Sequence, residues 1–302
     1  MIKVTVAIPH ADTPWFLRAC LESIAAQQHP EIELEVLVAD QTRDDKLHKE
    51  VCAVVAASAV PTKLVYCRHL GSGSGLDRLL KFSTGEYFCS LDCDAWPIHK
   101  NWLWMPVQLV NEGVAQWVGN DTGLALGYKE KGDFVHLNNY YRVSKTDMAR
   151  DVSRAVGFIR WDSRWEIGFV ASDYYWESLG GTVKCDNGVV AMHHTRNHTK
   201  LHLPITRYLG ATPQVGIYGM VIDDLVFHLV FARNFLQAQD PLAAFGPDFC
   251  GLYKRLSSEP ITRATVEYLV NETRPYGAPV RRIGHDGADA ALNAHIEELK
   301  QS

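Results

Sequence analysis

Two carboxylates separated by one residue, Asp92 and Asp94 in the stretch "SLDCDAWP", close an apolar run and precede a tryptophan and a proline. Side chains two apart on an extended segment share a face, so both acids can address one site while Cys93 turns away. Paired carboxylates repel unless a cation lies between or beside them. Hard divalent ions such as Mn2+ or Mg2+ take oxygen ligands and share them with substrate phosphates. The plain alternative is a turn after a strand, where Asp is common.

Other residues could join such a site. Asp40 ends the apolar run "ELEVLVAD". The stretch "HLGSGSGLDRLL", 69–80, follows a strand pattern and opens a helical one, which imitates a dinucleotide fingerprint. Leu76 stands where the last glycine would be, and the stretch follows the third strand, not the first. It reads as a loop at 71–75 beside a nucleotide, with Gly73 at its centre and Arg78 facing phosphates or base. A plain loop and a helix arginine are the alternative. His193, His194, His198 and His202 invite a zinc site, but Thr195, Asn197, Thr199 and Pro204 oppose a helix and no cysteine stands at zinc spacing. A loop that closes over a bound donor fits that segment better. Trp161, Trp165 and Trp176 flank Asp173, as sugar-stacking rings or as core fillers.

The elements that must position these residues follow from periodicity. "KVTVAI" (3–8), "ELEVLVAD" (33–40), "KLVYCRH" (63–69) and "EYFCSLD" (86–92) read as buried strands. Helical patterns at 14–27, 44–58 and 75–83 separate them. Short βα connections make the strands parallel, and ligands sit outside the carboxyl ends of such sheets. Pro9, Asp40, the glycine stretch and Asp92/Asp94 therefore converge on one edge. Further strands are expected at 115–120, 122–128 and 134–144, a strand or helix end at 154–162, and a short helix at 172–180. A hairpin is expected across 182–194 with Asn187-Gly188 at its turn. Helices are expected at 219–236, 240–254, 259–271 and 286–300.

The chain has 302 residues and a net charge of −5, so no broad polyanion-binding surface is implied. The segment 195–207 is locally basic, which keeps nucleic acid open as a partner. Seven cysteines without a CxxC pair suit a reducing, cytoplasmic setting. The N-terminus lacks a signal-peptide pattern, and Asp223, Asp224, His228 and Arg233 interrupt the most apolar late stretch, so no integral membrane contact is expected.

Three N-terminal blocks, "IP" with "FLRACLESIAAQ", "VLVADQTRDD" and "GEYFCSLDCDAWP", match in order and spacing the family-2 glycosyltransferases of the GT-A fold, which this sequence resembles over roughly its first 200 residues. A fourth block, 161–194, resembles the family's acceptor side, with Ser172-Asp173 where the family has Glu-Asp. The resemblance implies an α/β GT-A fold with a mostly parallel central sheet flanked by helices. It implies a domain over 1–215 (nucleotide-sugar half 1–100, acceptor half 101–215) and a C-terminal helical extension over 216–302. It implies a nucleotide-diphospho-sugar donor, Mn2+ or Mg2+, and inversion without a covalent enzyme intermediate. Ile8, Pro9, Asp40, Gly73, Arg78, Asp92 and Cys93 would contact the nucleotide sugar, Asp40 bonding the base and Asp92 lying near the ribose. Asp94 and His194 (or His193) would hold the metal, Asp173 would be the general base, and the three tryptophans would line the acceptor or sugar side. The acceptor stays open: a glycan, a protein or a hydroxylated base in nucleic acid. Two other readings remain. One is an NAD-dependent oxidoreductase built on the glycine stretch; the other is a non-catalytic nucleotide-sugar-binding relative, motivated by Ser172.

Overall fold

A computed structural model describes residues 1–67, 72–113, 117–121, 134–155, 188–192, 208–211, 214–215, 219–229, 239–273, 282–283 and 290–302. The N-terminal elements run β1 (Ile2–His10), α1 (Pro14–Ala26), β2 (Ile32–Asp40), α2 (Asp45–Ala56), β3 (Thr62–Tyr66), α3 (Ser72–Phe82) and β4 (Tyr87–Leu91). This is the expected βαβαβαβ order. Strand β1 is buried over seven successive residues, Val4 to His10, as a strand covered by helices on both faces must be. Its neighbours β2 and β4 both run parallel to it, and β3 runs parallel to β2.

Local chemistry sets the helix ends. Pro14 opens α1, where its missing N–H is not needed. Asp44 caps α2 by accepting from the Leu47 N–H at 2.8 Å. Helix α1 buries Phe16, Leu17, Cys20, Leu21 and Ile24 at helical spacing against the sheet. The stretch 71–75, expected as a loop, is helical from Ser72 onward. The reason is packing: a Cβ at Gly75 would lie 2.8 Å from the Gln41 side-chain nitrogen and 3.3 Å from Ala39 Cβ. Glycine at position 75 lets α3 press on the end of β2.

After β4 come β5 (Ala95–Pro97), α4 (Trp104–Asn111), β6 (Trp117–Asp121), β7 (Phe134–Lys145), α5 (Thr146–Ala155), β8 (Gly188–Met192) and β9 (Tyr208–Ala211). The main sheet is α/β and mixed: parallel from β3 to β4, then joined by β7, which runs antiparallel to β4, β6 and β8. Strand β9 runs parallel to β6. Helices flank the sheet, and the expected class holds. The expected strand at 122–128 and helix at 172–180 lie outside the described residues, as does the first arm of the expected hairpin. Its second arm, β8, pairs with β7.

The C-terminal part holds β10 (Gln214–Val215), β11 (Met220–Ile222), β12 (Val226–His228), α6 (Pro241–Ser258), α7 (Arg263–Thr273), β13 (Arg282–Ile283) and α8 (Ala290–Gln301). Strand β13 pairs with β9 at the far side of the main sheet. The three helices were expected. The helix over 219–236 was not found: residues 220–228 form a hairpin. Asp223 and Asp224 take left-handed backbone angles, φ 50° and 56°, and Leu225 N–H donates to the Ile222 carbonyl at 2.9 Å. That is a tight turn of the kind that suits hairpins. The flanking β-branched residues favour strands, and burial on both faces erased the alternation that marks one. Strand β12 pairs with β5, so β10, β11, β12 and β5 make a second sheet against the first.

Candidate metal and nucleotide site

Asp92 and Asp94 lie on the turn between β4 and β5. Ala95 N–H donates to the Asp92 carbonyl at 3.0 Å, and Asp92 N–H donates to the Tyr140 carbonyl at 3.2 Å. The two acids thus face one site because the chain turns, whereas strand alternation had been the expectation. Cys93 Sγ lies 3.6 Å from Thr13 Oγ1, just before α1. The site stands at the carboxyl end of β4, the edge that topology assigned to ligands.

The third member comes from far along the chain. His228, the last residue of β12, is paired in register with Ala95. Its Nε2 lies 3.4 Å from Asp94 Oδ1, with the two side chains 9% and 14% exposed. Its ring stacks on Tyr140, centroids 4.3 Å apart and 14° from parallel. Burial would lower its basicity, but the Asp94 charge and hydrogen bond outweigh that and raise it. Asp92, Asp94 and His228 offer ligand atoms that all lie within 4.8 Å of one another. His228 Nδ1 is buried with no hydrogen-bond partner among the described residues. Two carboxylates and an imidazole on one concave edge fit a divalent cation such as Mn2+ or Mg2+.

Two further side chains shape this site, and the sequence did not single them out. Arg142 on β7 sits opposite Ser90 of β4 and Gly119 of β6 and is wholly buried. Burial pulls its pKa down to about 9, with Cys89, Asp77 and Asp92 acting the other way, so it stays a cation near neutral pH beside the acid pair. Tyr253 on α6 packs edge-on against Phe16, centroids 5.7 Å apart. Burial raises its phenol, and the charges of Asp94 and Cys93 raise it further.

Two strands from the acid pair, about 10 Å away at ordinary strand spacing, β2 ends in Asp40. Its carboxylate is wholly buried. It accepts from the Thr42 N–H at 3.0 Å and faces His10 Nδ1 at 3.3 Å and His48 Nδ1 at 2.6 Å. Burial alone would push this carboxyl up; the bonds from His10, Thr42 and His48 win and hold it far below the usual carboxylate range. The ionised acid requires the proton on Nδ1 of both rings. His10 agrees, since its Nε2 accepts from the Thr13 N–H at 3.2 Å. What reaches solvent here is His48, its ring tilted against exposed Tyr66 at 4.7 Å. Arg78 on α3 is exposed, and its charge reaches Cys67 just past β3. Ile8 and Pro9 are buried in β1 beside Val38 and Ala39.

The described residues therefore bring together Asp92, Asp94 and a histidine, and place Ile8, Pro9, Asp40 and Arg78 along the same edge. His193, His194, Asp173, Trp161, Trp165 and Trp176 lie outside them. His228 was missed because it sits inside the run read as a helix. The available signal was Asp223-Asp224 between two short runs that hold Val221, Ile222 and Val226, with one histidine closing the second.

Residues 5–120 match the family model "Glycosyl transferase family 2". Among solved structures, the chain is similar to a mannosyltransferase, PcManGT from Pyrobaculum calidifontis in complex with GDP-Man and Mn2+, at 20% identity and TM-score 0.43. That match covers 51% of this chain and 47% of the other. It is also similar to S. aureus TarS 1-349 in complex with UDP-GlcNAc, at 16% identity and TM-score 0.41, covering 66% and 61%. A galactosyltransferase, LgtC, in complex with donor and acceptor sugar analogs, matches at 15% identity and TM-score 0.38, covering 49% and 59%. The overlap thus spans about half of the mannosyltransferase's own length. No curated protein matches the chain. No residue role passes from these structures to this chain.

Proposed function

We propose that the protein is an inverting, metal-dependent glycosyltransferase that moves a sugar from a nucleotide-diphospho-sugar to an acceptor hydroxyl. The observation that carries this reading is the convergence of Asp92, Asp94 and His228 at the ligand edge of a sheet whose N-terminal part matches the family. Asp94 and His228 would hold Mn2+ or Mg2+, with Asp92 beside the ribose. When bound, the ion supplies counter-charge for the diphosphate leaving group. The base would lie at the end of β2, above the Asp40 cluster and next to Ile8 and Pro9. Gly73 and the exposed guanidinium of Arg78 would flank that position, and Cys93 would contact the donor from the α1 side. Asp173 would take the proton from the acceptor hydroxyl. As the acceptor oxygen bonds to the sugar's anomeric carbon, the bond to the diphosphate oxygen breaks on the opposite face, which inverts the configuration. Trp161, Trp165 and Trp176 would line the sugar or acceptor side, and His194 remains a further candidate for the metal. The acceptor class is a glycan, a protein or a modified nucleic acid base.

A cytoplasmic setting agrees with the described cysteines, which are all unbridged. Among the described residues, no helix is long and apolar enough to cross a membrane. The close approach of Gly75 to Gln41 and Ala39 weighs against a dinucleotide cradle in this stretch. The test is thermal unfolding with a panel of nucleotide sugars. A subset of them plus Mn2+ should raise the melting temperature, EDTA should cancel the rise, and NAD should have no effect. A rise with NAD that ignores EDTA would reverse the conclusion. Asp173→Asn should abolish turnover and keep nucleotide binding; unchanged function would favour a non-catalytic relative.

A further inference from the structure

His228 sits on a strand three residues long, too short to hold a ligand in place by its ladder alone. Two connections fasten the two ends of β12: Leu229 N–H donates to the Asp94 carbonyl beside His228, and Ile98 N–H donates to the Leu225 carbonyl next to the turn, both at 2.9 Å. The turn itself, at Asp223-Asp224, is left-handed. The Asp223 carboxylate is buried, and Lys300 Nζ of α8 meets it at 2.7 Å, with side chains 12% and 5% exposed for Lys300 and Asp223. Lys300 also reaches the more exposed Glu297 of its own helix at 3.5 Å.

The end of α8 is fixed in turn. Asn101, four residues beyond β5, donates through Nδ2 to the carbonyls of Leu299 at 3.1 Å and Lys300 at 2.7 Å. One helix end therefore grips both the segment that leaves the acid pair and the turn of the hairpin that brings His228 back to it. There is little slack: a Cβ on Gly219 would run into the His228 carbonyl oxygen and the Phe227 ring.

We propose that Lys300 is a positioning residue for the metal site, acting through Asp223 and the hairpin to set His228 against Asp94. The inference rests on the metal reading above. A buried carboxylate stripped of its cation is strongly unfavourable. Relief by opening this short hairpin takes His228 away from Asp94 and leaves the parallel strands alone.

The test is calorimetric titration of the full chain with Mn2+ alone, beside urea unfolding. Lys300→Met and the milder Asp223→Asn, which keeps a residue tolerant of left-handed φ, should each weaken Mn2+ binding about tenfold, the low end for a group that orients a ligand. Lys300→Arg should restore most of that affinity. In a His228→Ala background, Lys300→Met should add nothing. The proposal is overturned if Lys300→Met and Asp223→Asn lower the urea midpoint with Mn2+ affinity unchanged, or if the losses from Lys300→Met and His228→Ala multiply. If Asp94→Ala and His228→Ala both titrate like the unmodified chain, the metal reading falls and takes this inference with it.

Discussion

Strands β1 and β2 are nine residues each and pair along their whole length, Ile2 opposite Ile32 through His10 opposite Asp40. Strands β11 and β12 are three residues each, yet β12 carries the histidine of the candidate metal site. The first region is held by a continuous ladder and an apolar core that α1 and α2 complete. The second is held by a few large side chains and one buried ion pair. Trp96 of β5 is the joint: wholly buried, it packs against Phe16 of α1 at 6.2 Å and Phe227 of β12 at 5.8 Å between ring centroids. The long ladder can set an edge and leave it open. The short hairpin adds a specific ligand to that edge, and its position depends on contacts that single substitutions remove.

The largest expected effect is at that joint. Trp96→Ala should cost about 3–5 kcal/mol, as for large buried aromatics elsewhere, read from urea unfolding. Amide exchange should show β11 and β12 losing protection first while β1 and β2 keep theirs. Uniform loss across both regions would mean they form one cooperative unit, and the contrast fails. Next comes the acid pair. Asp94→Ala should lower metal-supported nucleotide binding by a factor on the order of 100, at the top of the range for a supporting residue, and Asp92→Ala should do less. If neither change alters binding, the pair is only a turn.

Acid sensitivity should belong to the ladder region. Glu35 of β2 is buried; burial pushes its carboxyl up, but bonds from Thr84, Thr5 and Lys63 hold it below its usual value. Asp40 is held lower still. Both carboxyls titrate below their unfolded values, so their stabilisation is full above about pH 5 and fades as pH falls past about 4. The urea midpoint should drop between pH 5 and 3. Asp40→Asn should start lower at neutral pH and drop less. An unchanged slope would remove Asp40 from the account. The smallest effect is expected at Arg263 and Glu267 on α7, an exposed pair at 2.8 Å. Arg263→Ala should change stability by no more than about 0.5 kcal/mol.

The same contrast marks how far the sequence could be read. The ladder region was legible because β-branched runs alternate with amphipathic helices at short spacing. Its elements stand within a few residues of where periodicity placed them, and Asp92 and Asp94 sit on the edge that topology demands. The hairpin was not legible. Apart from Asp224, residues 220–229 are buried, so strand and helix patterns coincide there, and local sequence says nothing about a partner strand at 95–97. Asp40 was found by position, but its sealing by His10 and His48 depends on a tertiary contact between β1, β2 and α2. Arg142 gave no signal, because a charged residue in a strand pattern reads as an exposed one until the strands on both sides are known.

The pairing of β5 with β12 also sets a timetable. Residues 95–97 leave the ribosome well before residues 226–228 exist, and synthesis of the intervening chain at common rates takes on the order of ten seconds. The ladder region has its strands and helices by then and can fold while translation continues. Throughout that interval the nascent chain carries Asp92 and Asp94 without the histidine that faces them. The Asp92, Asp94 and His228 cluster is therefore completed late in synthesis, at the arrival of one short hairpin.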